Sequence, residues 1–168
     1  MGVLIMDESS ALKDLGEYKM TLLDKIIRSE KISDAMYKDK KSESLDKLVY
    51  KQIFPFLYVD ETQTDVLTYL CIETSVPRIA TGTIKDVRLT VLVYGHRECM
   101  QYDGYPGTRI DALSDYMDRI IMSEDVRKEF GIGRPKLETV NPAWPQNKYY
   151  GREMIYTIPD FKIKHVKG

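Results

Sequence analysis

Cysteine, histidine and tryptophan are scarce in this chain of 168 residues, which holds two, two and one of them. Cys71 and Cys99 both fall in or beside predicted strands, so no disulfide framework is implied and a reducing compartment is the expectation. His96 and Cys99 lie three apart at a strand end, but a closed zinc site would need His165 and Cys71 to converge on them. Neither a metal nor a cofactor is expected. No apolar run approaches the roughly 20 residues that cross a bilayer. The opening Met1–Met6 is apolar but short and runs at once into Asp7 and Glu8, without the basic start or cleavage site of a secretory signal. The chain is therefore expected to be made and kept in the cytoplasm until it assembles. An excess of one charge is missing as well: 25 basic residues against 26 acidic argue against a polyanion-binding protein.

What the chain has is tyrosine, 12 of them against four phenylalanines, within a composition that is 43% hydrophobic. That content fits one compact domain with one core. Tyrosine joins an apolar body to a polar tip and suits surfaces buried on association. Residues 9–36 show helical spacing, clearest at Leu22, Leu23, Ile26 and Ile27, with Gly16 expected to separate two helices. Lys38 to Ser44 reads as a solvated linker, and a short helix over Leu45–Tyr50 with Ser44 as cap is expected to follow. Ile53–Val59 is too apolar for a free loop and contains Pro55, so it either leads into the sheet or forms an edge strand.

Strands are expected over Asp65–Thr74, apolar on both faces, and over Ile84–Tyr94, where Val87, Leu89, Val91 and Val93 share one face. Arg78 to Thr83, with Pro77 and Gly82, reads as a turn or hairpin. Next come a Gly/Pro/Tyr turn over Tyr102–Gly107 and an amphipathic helix over Thr108–Met122. Ile110, Leu113, Met117, Ile120 and Ile121 form its stripe, and Thr108 with Asp111 its capping box. Gly131 to Pro135 marks the break that follows. A short strand over Lys136–Val140, a loop over Asn141–Asn147 and a strand over Tyr149–Ile158 stopped by Pro159 complete the pattern. The fold class expected is α+β: an antiparallel sheet of about four strands with one packed helix, preceded by N-terminal helices. The divisions are an N-terminal helical arm and linker over 1–44, the α+β domain over 45–161 and a basic tail over 162–168.

Sites for chemistry are weak. Gly131-Ile132-Gly133 lacks the third glycine, the Lys-Ser/Thr pair and the preceding strand of a phosphate loop, and helix termination explains it. Asp111, Asp115 and Asp118 fall on one helical face without a partner constellation, as a solvated or interface face does. Lys162, Lys164, His165 and Lys167 form either a tail that meets DNA or an acidic partner, or a plain disordered terminus. Met1–Met6 is either an arm to a neighbour or a frayed end. Tyr102 and Tyr105 sit on a turn that is either a contact loop or an ordinary strand-to-helix connection.

This order of elements resembles the tail terminator and tail-completion proteins at the head-to-tail junction, or neck, of tailed bacteriophages. The resemblance covers residues 45 to 161. It is carried by Lys51–Val59 after N-terminal helices, by strands ending at Val91–His96, by the turn and helix Gly107–Ser114, and by the closing Met154–Phe161. It implies a structural virion protein, not an enzyme, forming a ring of six copies that caps the tail tube and docks onto the head-side connector. Its partners would be other copies of itself, the tail tube protein, and a connector, adaptor or stopper, with DNA passing through the lumen and no membrane. Stoppers and head-tail adaptors belong to the same class. The interface residues expected are Arg88, Tyr94, Tyr102, Tyr105 and the Trp144 loop. A small α+β enzyme is the rival reading and would need a pocket with convergent titratable groups.

Overall fold

The structure, a computed structural model, describes residues 11–37, 44–77, 79–80, 83–84 and 86–159. The expected arm at Met1–Met6, most of the linker after Lys38, the turn at Gly82 and the basic tail from Lys162 lie outside the described residues.

Two helices open it, α1 over Ala11–Ile27 and α2 over Glu30–Met36. Gly16 does not separate them, contrary to expectation: α1 runs straight through it. An isolated glycine costs a helix about 1 kcal/mol relative to alanine, and burying Leu15, Tyr18, Leu22 and Ile26 on one face returns more. The chain breaks instead at Ser29, whose hydroxyl accepts from the Ile32 amide at 3.3 Å and caps α2. A 3₁₀ turn over Leu45–Leu48 stands where a short helix was expected, and Ser44 precedes it without a side-chain cap bond.

One five-stranded sheet carries the fold. Its strands are β1 (Ile53–Phe54), β2 (Thr68–Ser75), β5 (Asp86–His96), β6 (Lys136–Gln146) and β7 (Tyr149–Pro159), in the order β1-β2-β5-β7-β6. All neighbours are antiparallel except β1 and β2. A separate two-stranded ribbon pairs β3 (Ile79–Ala80) with β4 (Thr83–Ile84). The α+β class with N-terminal helices is therefore the observed one, with β1 as a fifth, very short strand. Pro55 ends β1 after two residues.

The alternation in β5 sorts the two faces of the sheet. Val87, Leu89, Val91 and Val93 are fully buried and pack with α1, α2, α3 (Arg109–Ile121) and α4 (Glu124–Phe130) in one core. α3 starts on the expected capping box: Thr108 Oγ1 accepts from the Asp111 amide, and the Asp111 carboxylate accepts from the Thr108 amide at 2.8 Å. α4 was not expected. It buries Val126 and Phe130, the latter edge-on to Tyr18 at 5.3 Å, and ends on Gly131 in the left-handed region.

The opposite face of the sheet is covered too. Phe54, Tyr69, Cys71, Leu92, Tyr94 and Tyr149 form a second cluster. The chain from residue 55 to 67 is strapped over it. Tyr94 donates to the Tyr58 carbonyl at 3.0 Å, Tyr149 to the Asp65 carbonyl at 2.6 Å, and Gln146 Nε2 to the Glu61 carbonyl at 2.7 Å. Gly151 lets this face close: a Cβ there would stand 2.6 Å from that of Tyr94. Among the described residues no helix is long and apolar enough to cross a membrane.

Candidate functional site

Arg109, the first residue of α3, organises the turn region. Its side chain is buried and meets three backbone carbonyls: Nε donates to Cys99 at 2.7 Å, Nη1 to Ala35 at 2.7 Å and Nη2 to Gln101 at 3.3 Å. The Tyr102 ring lies 5.0 Å from the guanidinium, and burial pushes its hydroxyl pKa up to about 12. Around them is an open cleft of about 570 Å³ that Asp34, Tyr37, Glu98 and Asp103 also line. Tyr105 donates to Asp115 at 3.2 Å and stands edge-on to Tyr116. Both tyrosines of the turn are thus half-buried and fastened to α3, with Gly104, Pro106 and Gly107 left exposed at its tip.

The acidic face of α3 is not simply solvated. Asp111 accepts from Arg152 besides closing the capping box, Asp115 takes both Tyr105 and Arg119, and Asp118 accepts from Tyr156 at 2.7 Å. Burial pushes the Asp111 carboxyl up, but the bonds from Thr108 and the Arg152 guanidinium outweigh it and hold the pKa below its ordinary value. These carboxylates fasten the helix to the turn and to β7.

The other expected contact residues are scattered. Tyr94 has no exposed surface: it stacks on Tyr69 at 5.0 Å beneath the 55–67 strap, so it serves the interior and not a contact face. Arg88 is exposed near the opposite end of β5, between Ser75 and Thr157. Trp144 does not sit in a loop. β6 continues to Gln146, pairs with β7 and carries Trp144 as a 67% exposed side chain of an edge strand. Pro142 and Pro145 are tolerated there because an edge strand has amides that need no partner. Leu137 and Val140 are exposed on the same strand.

At the other edge of the sheet, next to β1, is a patch that sequence reasoning missed. Tyr50, Phe56, Leu57 and Tyr58 are all exposed, and the rings of Tyr50, Phe54, Phe56 and Tyr58 touch in series with centroids 4.8 to 6.2 Å apart. The signal was an apolar run that Pro55 prevents from continuing as a strand. Tyr50 has φ +64°, held by its amide donating to the Ile53 carbonyl at 2.8 Å.

His96 and Cys99 make local bonds: His96 Nδ1 accepts from the Glu98 amide, and the Cys99 thiol donates to the His96 carbonyl at 3.0 Å. Cys71 is buried beneath the strap, which pushes its thiol up to about 11. Among the described residues no three His, Cys, Asp or Glu side chains converge as metal ligands.

A family model described as YomW matches residues 29–158, from the cap of α2 to the end of β7. No curated protein and no solved structure matches the chain.

Proposed function

This chain belongs to the YomW family, which is phage-derived, and from that premise we propose that it is a structural protein of the phage virion acting at the head-to-tail junction. Its work is geometric, not catalytic: six copies close a ring, one ring face stops the tail tube and the other accepts the head-side connector. Ring closure requires a heterologous interface, in which two different surfaces of the same chain meet. The observation that supports this reading is the pair of exposed apolar clusters near the two lateral edges of one sheet, Tyr50, Phe56, Leu57 and Tyr58 beside β1 and Leu137, Val140 and Trp144 along β6. A stopper or adaptor of the same neck is the neighbouring reading. Assembly would take place in the host cytoplasm and the product would reside in the virion, with no role for a cofactor or a membrane.

The test is genetic and visual. Removing the gene from the phage that encodes it should give full heads and separate tails, some of them over-long, and supplying the protein should restore joined particles. Joined virions of normal length without the protein would refute the neck assignment.

A further inference from the structure

The exposed aromatic patch beside β1 has two properties that its own fold does not call for. Tyr50 is 61% exposed, so its ring adds little to the core, yet its backbone sits at φ +64°, where a side chain is strained and glycine or asparagine is the ordinary choice. The rings around it are already held in place. Phe54 is buried beneath, Phe56 and Tyr58 lean on it, and the Tyr58 carbonyl takes both the Tyr94 hydroxyl and the Cys71 thiol. A preordered aromatic surface loses little entropy on contact.

The opposite edge is different in kind. β6 is a long strand with one side unpaired, and it exposes Leu137, Val140 and the chain's one tryptophan. Strand addition is hindered at both edges, since Pro142 and Pro145 lack donors on β6 and β1 stops at Pro55 after two residues. Beside β1 and along residues 142–145, contact therefore runs through side chains. The first patch leaves roughly 400 Å² of large apolar side chain exposed and the second roughly 300 Å², taking about 150–250 Å² for each side chain. Those areas match the apolar centre of an interface burying about 800 Å² per partner once a polar rim is added.

We propose that copies of this chain join head to tail, the Tyr50, Phe56, Leu57 and Tyr58 patch of one copy seating on the Leu137, Val140 and Trp144 edge of the next. This rests on the assembly reading and names the two surfaces it requires.

Two variants test it, Tyr50→Gly with Leu57→Glu in one and Val140→Glu with Trp144→Ala in the other. Each is first confirmed folded by circular dichroism and by a thermal midpoint at monomeric dilution. Tyr50→Gly alone should not lower that midpoint, because it relieves backbone strain and removes an exposed ring. Sedimentation velocity should show the wild type forming closed oligomers and each double variant remaining monomeric. Trp144→Ala alone should weaken self-association at least ~30-fold. The equimolar mixture of the two double variants should give a one-to-one dimer and nothing larger, since a single pair of intact faces remains.

Double variants that assemble like the wild type would overturn the inference while leaving the assembly reading standing. A double variant that dimerises by itself would show a patch pairing with its own copy and would overturn it too. A wild-type chain that is monomeric at every attainable concentration would overturn it as well, and the neck assignment would then stand or fall on the virion phenotype.

Discussion

Arg109 is a charge buried on carbonyl oxygens and one tyrosine ring, and it ties the C-terminal turn of α2 to the strand-to-helix connection. Arg109→Leu leaves those carbonyls without their donor inside the fold, so unfolding in urea should show a loss of about 3 kcal/mol. Gly151 answers to space: in Gly151→Ala the new methyl meets the Tyr94 side chain and the Val93 carbonyl, and about 2 kcal/mol should be lost in the same assay. Asp111 sets a pH dependence. Its carboxyl is held below the ordinary value in the folded chain, so its contribution is fully present above the unfolded pKa of about 4 and fades as pH falls through the folded pKa. The urea midpoint should therefore decline below about pH 4, and Asp111→Asn should flatten that decline.

At the scale of elements, α1 offers the cleanest test of local against tertiary forces. A Cβ at Gly16 meets nothing within 4 Å, so Gly16→Ala should stabilise the protein by about 0.5–1 kcal/mol in thermal unfolding. A chain that truly broke at Gly16 would show no such gain. β5, α3 with its capping box and β7 were legible in the sequence because each carries its own period and its own start or stop. The second half of β6 was not, since Asn141-Pro142-Ala143-Trp144-Pro145 has the composition of a loop and only its place at the sheet edge lets the prolines stand in a strand. α4 offers just Val126 and Phe130 as apolar signals. Of the expected contact residues, Trp144 is exposed, but on an edge strand and not on the loop that its neighbouring prolines suggest. Tyr94 could not be judged, because alternation says which face a side chain takes and nothing of the strap that covers that face. The patch at Tyr50 depends on a positive φ that no residue type announces.

Among the described residues the sheet is covered on both faces, by helices on one and by the 55–67 strap on the other, and exposed apolar side chains gather where that strap leaves β1 and along β6, besides Leu12 and Met20 on α1 and Tyr150 on β7. The two clusters differ in kind, one of packed aromatic rings and one along an edge strand. The proposed ring would use these two surfaces, and the chain belongs to a phage-derived family whose model spans α2 to β7. The most direct measurement is the molar mass by light scattering across a concentration series, with negative-stain images of the same sample alone and mixed with purified tail tubes. Six-membered rings in solution, seated on the ends when tubes are present, are the result that the ring assignment requires. A chain that stays monomeric in solution and leaves the tube ends bare would contradict it.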